Sequence, residues 1–211
     1  MMDILLYLPG FLAAYAILFI AASSPGPAVA MLLGIAATQG RGPALVASAG
    51  IAAGSVVINL ATLTGVGLIL SQISWAMTAL RFVGAAYLAY LAYGAFRKAA
   101  NAPQIKAATV DTVSNRQHFT AGFLLQVSNP KAIVFWLAIA SVGATSGGSL
   151  GVVAVFVVGA FMISFGCHGA WALFLSARPF RAAYQSARRW IEGALGVFFA
   201  FAAFKLATTR I

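Results

Sequence analysis

Apolar residues fall in six long runs separated by short polar stretches. The first run covers Ile4 to Ala37 and is interrupted by Ser24-Pro25-Gly26-Pro27. The next two cover Ala44 to Leu70 and about Trp75 to Phe96. A polar stretch, Arg97 to His118, precedes a fourth run, Phe119 to Val142, which is interrupted by Asn129-Pro130-Lys131. Leu150 to Leu175 and about Trp190 to Ala207 complete the series. A helix crossing a hydrocarbon core of roughly 30 Å needs about 20 apolar residues. The pattern therefore predicts an all-α membrane protein with six transmembrane helices and short loops. Five spans, with the first or last run not crossing, is the alternative.

Composition narrows the class further. Of 211 residues, 62% are hydrophobic and 8% are charged, against about 25% charged in an ordinary soluble domain. That is too hydrophobic for a disordered chain and leaves too little polar surface to coat a soluble one. No Lys or Arg precedes the first apolar core, so a cleaved signal peptide is not expected.

The net charge is +10, with only Asp3, Asp111 and Glu192 as acids. Such a balance can indicate nucleic acid, but the basic residues sort by loop. Arg41 follows span one. Arg97, Lys98, Lys106 and Arg116 follow span three, and Arg178, Arg181, Arg188 and Arg189 follow span five. Arg81, Lys205 and Arg210 lie near helix ends on the other side, and loops Ser71–Ser74 and Gly143–Ser149 carry no charge. The positive-inside rule then places both termini outside, and no nucleic-acid partner is implied. The segment of about residues 97–118 is a cytoplasmic loop, too short for a domain. Residues 1–211 read as a single transmembrane domain.

The chain repeats itself weakly. Ser24-Pro25-Gly26-Pro27-Ala28-Val29 aligns with Ser128-Asn129-Pro130-Lys131-Ala132-Ile133, Thr38-Gln39-Gly40 with Thr145-Ser146-Gly147, and Gly84-Ala85 with Gly193-Ala194. The offsets, 104, 107 and 109, keep their order. Repeat one covers about residues 11–97 and repeat two about 119–208. Three spans per half give the halves opposite orientation, the inverted repeat of many secondary transporters. Helices one and four are then Pro-broken at equal depth. Span one would run from about Tyr15 to Thr38, with residues 1–10 as an outer segment, because Ile4–Ala37 as one straight helix would be about 50 Å long. Proline removes a backbone donor and clashes one turn back. The freed carbonyls must face protein or a water-filled cavity, because lipid offers no partners.

At these residues the sequence resembles the LysE/RhtB family of amino-acid exporters. The resemblance rests on Ser24-Pro25-Gly26-Pro27, Gly40 with Gly42, and Gly50-Ile51-Ala52-Ala53-Gly54. It continues through Arg81-Phe82-Val83-Gly84-Ala85-Ala86-Tyr87-Leu88 and Gly122-Phe123 to Asn129-Pro130-Lys131-Ala132. It implies a small exporter of the bacterial inner membrane that moves amino acids or close derivatives outward on the proton-motive force, as a homo-oligomer. Ala28 stands where many members carry Asn or Asp, and Ser55 where many carry an acid, which argues against a basic substrate.

Candidate pathway residues are Pro25, Gly26, Pro27, Asn129, Pro130, Lys131, Gln126, Ser55 and Asn59. Lys131 is the most informative, since a Lys at the bilayer centre costs about 2.5–3.5 kcal/mol. It meets a substrate carboxylate or changes protonation during transport; otherwise it snorkels to the cytoplasmic face. Glu192 and His168 are the candidates for proton coupling. For Glu192, at the start of span six, the competing reading is compensation of a helix dipole; for His168 it is a packed, hydrogen-bonded ring. His118 reads as solvated at a loop end, and Gly50 and Gly54 as close-packing positions. Cys167 reads as a packed thiol, Trp136 and Phe135 mostly as core, and Trp75 as an interface residue.

These features favour a proton-coupled exporter of a neutral amino acid or a closely related small zwitterion. Half-helix N-termini at the breaks would attract the carboxylate. The partners are that substrate, protons and the bilayer; no cofactor or metal is expected. An ion or metal exporter of a related fold is disfavoured, because three scattered acids, Cys167 and His168 do not build a metal site. An enzyme is disfavoured because Ser128, His168 and Glu192 form no recognisable set. A passive channel is the remaining alternative.

Overall fold

The computed structural model describes residues 2–72, 76–101 and 114–208. Trp75, Lys106, Asp111 and Arg210 lie outside the described residues, as do the side chain of Arg81 and residues 73–74 of the predicted loop Ser71–Ser74. Among the described residues the regular elements are helices: α1 (Met2–Ser23), α2 (Pro27–Thr38), α3 (Arg41–Gln72), α4 (Ala76–Ala100), α5 (Asn115–Ser128), α6 (Pro130–Ser141), α7 (Leu150–Ser176) and α8 (Arg178–Thr208).

Both expected breaks are present, and each is followed by a twelve-residue helix that opens on proline. The first turn is where proline is tolerated, since its missing N–H would have had no partner there. Thus Pro27 starts α2 after an extended Gly26, and Pro130 starts α6 after an extended Asn129. This pairs Pro27 with Pro130, one residue away from the alignment on Ser24 and Ser128. The turns after both short helices use glycine at positive φ, 87° at Gly40 and 71° at Gly147, a conformation that costs other residues more. Four stretches are long and apolar enough to cross a membrane by themselves: Leu5–Ser23, Arg41–Gly65, Leu150–Ser176 and Arg178–Thr208. The α5–α6 pair, bent by 61° at Asn129, makes a fifth.

The helices form two compact units. Unit 1 comprises Met1–Val66 and Ala107–Ala177; unit 2 comprises Gly67–Lys106 and Arg178–Ile211. Within unit 1 the two broken segments run in opposite directions. Gly10, near the start of α1, packs against Ala144, beyond the end of α6. Gln39, at the end of α2, meets His118 in the first turns of α5 at 2.9 Å. Between these ends, Ser24 of one break meets Lys131 of the other. Two parallel pairs flank the broken segments. α1 runs beside α7, with Tyr15 donating to the Phe156 carbonyl at 3.1 Å and Ser23 to the Cys167 sulfur at 3.6 Å. α3 runs beside α5 so closely that a Cβ on Gly50 would overlap the Phe119 carbonyl, and one on Gly122 the Ala47 carbonyl. Small residues allow such backbone approach in membrane bundles. Phe11, Leu18, Ile58, Trp136 and Phe156 belong to the apolar core that fills the Gly10–Ala144 end of unit 1.

Unit 2 pairs α4 with α8 in antiparallel order: Gly84 faces Leu206, Gly196 the Phe96 ring and Gly193 Ala99.

Three expectations need correction. Residues 2–10 belong to one continuous helix, α1, and do not form a separate outer segment. Pro9 removes one ladder bond there without ending the helix. The break therefore comes after a segment that is already long enough to span. Second, the basic stretch after span five is helical, not a loop. α8 starts at Arg178, with Pro179 in its first turn, and Ala177 alone separates it from α7. Arg and Ala are good helix formers, and at 31 residues α8 is about 46 Å long. Glu192 consequently sits in the middle of the helix and cannot compensate its N-terminal dipole. Third, His118 is buried, not solvated. α5 starts earlier than the apolar run, at a capping box between Ser114 and Gln117, and this carries His118 into the packed part of the helix.

Candidate functional site

The first break is built around Ser24. Prolines at 25 and 27 cannot donate, so carbonyls at the end of α1 need other partners. The Ser24 hydroxyl donates to the Ala21 carbonyl at 2.9 Å. The Ser24 carbonyl accepts from Lys131 Nζ at 3.0 Å, and the Ser24 hydroxyl oxygen also accepts from it. The Lys131 ammonium thus rests at the C-terminal end of α1, where the aligned carbonyl dipoles favour positive charge. The ammonium lies against Gly26: a Cβ there would touch Nζ at 3.4 Å. Its backbone is extended, so the glycine is not required by φ.

The second break is capped from within. Asn129 ends α5 and starts α6, and its side-chain oxygen accepts the Lys131 backbone N–H at 3.1 Å. An Asn N-cap of this kind stabilises a helix by about 1 kcal/mol. It also fixes the residue that carries the ammonium.

Beside the breaks, a line of polar groups crosses unit 1. The Gln126 amide donates to the Ser55 hydroxyl at 2.8 Å, and Ser55 shares a hydrogen bond with Ser164 at 3.1 Å. His168, one turn beyond Ser164 on α7, donates Nδ1–H to the Ser164 carbonyl at 2.8 Å. In the neutral ring this leaves Nε2 as an acceptor. All four side chains are buried.

These groups line one cavity of about 450 Å³, counting its open mouth. Its polar wall includes Ser24, Ser55, Gln126, Asn129, Lys131, Ser164 and His168; its apolar wall includes Leu18, Phe135 and Trp136. Among the described residues no carboxylate lines it, and no group of three His, Cys, Asp or Glu could hold a metal ion.

The cavity thus gathers most of the residues expected from sequence. Gly26, Pro27, Asn129, Lys131, Gln126, Ser55 and His168 line it. Pro25 and Pro130 shape the breaks but do not line the cavity. Asn59 is buried on α3, one turn beyond Ser55, and is absent from the wall. Glu192 belongs to unit 2, where it lies 3.7 Å from Arg188. Among the polar wall residues, two carry no candidate signal of their own in the sequence: Ser24 as a side chain and Ser164. A signal for Ser164 existed: it lies 109 residues after Ser55, the repeat offset that relates Gly84 to Gly193.

Residues 19–210 match the LysE type translocator family. The threonine efflux protein of Escherichia coli K12 is 29% identical over 205 residues, covering 90% of this chain and 93% of that protein. The chemotactic transduction protein ChpE of Pseudomonas aeruginosa is 36% identical over 131 residues, 62% of this chain and 63% of that protein. An uncharacterised membrane protein of the same organism is 36% identical over 117 residues, and this match spans about half of each chain (54%). No solved structure matches. A family match over nearly the whole length places the chain in the LysE type translocator family, whose members are transporters and not enzymes.

Proposed function

We propose that this chain exports a neutral amino acid or closely related small zwitterion across the bacterial inner membrane by proton antiport. The observation that carries the reading is Lys131, a cation held between two helix breaks in the wall of the cavity. The carboxylate of an amino acid would compete with Ser24 for the ammonium. The N-termini of α2 and α6, both at the breaks, would add their positive dipole ends. That no carboxylate lines the wall among the described residues supports a neutral side chain over a cationic one. His168, with an open Nε2 in the same wall, and Lys131 are the groups placed to exchange a proton with the cavity. The name of the Escherichia coli relative makes threonine the first substrate to try.

The opposed broken segments and the two parallel helix pairs support six spans arranged as inverted three-helix repeats. In this reading repeat one is about residues 11–97 and repeat two about 119–208, with both termini periplasmic. Alternating access would come from rocking of the halves about the site.

The test is transport by purified protein in liposomes. An imposed pH gradient should drive accumulation of L-threonine or another neutral amino acid, and collapsing the gradient should abolish it. Accumulation of lysine alone, or equal flux with and without the gradient, would contradict the reading.

A further inference from the structure

Ser55 and Ser164 hydrogen-bond to each other across unit 1 and stand at the offset that relates the two repeats. One turn beyond each serine comes another buried polar residue: His168 on α7 and Asn59 on α3. α7 runs with α1 and α3 runs with α5, while the two broken segments run oppositely. The steps Ser164 to His168 and Ser55 to Asn59 therefore lead toward opposite ends of the unit. His168 lies toward the Gln39–His118 end and lines the cavity. Asn59 lies toward the Gly10–Ala144 end, next in sequence to Ile58 of the apolar core that fills it.

Asn59 is 1% exposed, and neither its amide nitrogen nor its amide oxygen has a hydrogen-bond partner. A buried amide without partners is costly. Its backbone carbonyl accepts from the Thr62 hydroxyl at 2.9 Å, but this does nothing for the side chain. The side chain has both a donor and an acceptor to offer, with nothing to receive either in this conformation.

We propose that Asn59 is the polar contact of a second chamber, closed in this conformation, that opens at the Gly10–Ala144 end when the transporter changes face. There Asn59 meets the amino-acid substrate and its water, at the position His168 holds in the wall of the chamber seen here. The apolar core around Phe11, Trp136 and Phe156 is the closed gate. The inference rests on the transport reading above and adds to it a named residue for the opposite-facing state.

The experiment is cysteine accessibility in a Cys167→Ser background that retains efflux. Asn59→Cys and His168→Cys are each exposed to a membrane-impermeant maleimide, in right-side-out and in inverted vesicles. A minor state is populated at about 10% or less, so labelling of Asn59→Cys at rest should be about tenfold or more slower than that of His168→Cys. It should accelerate when vesicles loaded with neutral amino acids are energised. The two cysteines should be reached from opposite faces. If Asn59→Cys fails to reach the membrane, Thr62→Cys, one turn further along α3, takes its place with the same expectation. A cysteine at this end that stays unlabelled during turnover, or is labelled from the same face as His168→Cys, overturns the second chamber and leaves the first intact. Failure of His168→Cys to label from either face overturns the transport chamber itself, and the second chamber with it.

Discussion

The two helix breaks share a proline at the start of the following helix but satisfy their backbone in opposite ways. At Asn129 the break is self-sufficient: the side chain caps α6, and the Asn129 backbone N–H closes onto the Gln126 carbonyl at 3.1 Å. At Gly26 no side chain caps α2, and the carbonyl of Ser24 depends on a cation supplied from the other half of the chain, 107 residues away. One break is therefore closed by its own residues, and the other relies on a charge from its partner. In the proposed mechanism, a charge that leaves Ser24 for a substrate carboxylate would loosen the first break and leave the Asn129 cap of the second in place. On that reading, the asymmetry would couple ligand binding to the position of one broken helix.

Removing the shared charge should have the largest effect. Lys131→Met, at normal membrane abundance, should lower efflux of neutral amino acids about tenfold while leaving a measurable residue, read as reduced external accumulation from cells loaded with a dipeptide source. Ser24→Ala should come next. It deletes the hydroxyl between Lys131 and the Ala21 carbonyl but spares the backbone carbonyl, so efflux should fall several-fold. Stability in detergent should drop by roughly 1.5–3 kcal/mol, the worth of a hydrogen bond to a charged group, measured by thermal unfolding. Asn129→Ala should be the mildest, with a loss of about 1 kcal/mol for the missing cap that Asn129→Asp largely restores. An Asn129→Ala protein with efflux as low as Lys131→Met would erase the distinction between the breaks.

Much of this arrangement was legible in the sequence, because the residues that punctuate a membrane helix are few and chemically distinct. Pro25, Pro27, Pro130 and Asn129 marked both breaks, and the cost of Lys131 in lipid marked it as cavity-facing. The pairing of Lys131 with Ser24 was not legible, since it depends on how two distant segments meet. The start of α8 is not legible in the sequence, because Arg178 to Arg189 is polar and a polar stretch also fits a loop; charge sets depth in a membrane, not whether a segment is helical. His118 was misplaced for the same reason, as the apolar run began one residue after it while the helix began at Asn115. Ser164 was recoverable from the repeat alone, because a serine in an apolar run carries no local signal.

The claim that the two breaks form one site is tested most directly by a double-mutant cycle on counterflow of a neutral amino acid in liposomes. Wild type, Ser24→Ala, Lys131→Met and the double variant would be reconstituted at equal density. If Lys131 acts through Ser24, the double variant should be no worse than Lys131→Met alone, giving strong non-additivity. Independent, additive losses, or full counterflow by Lys131→Met, would contradict a shared site.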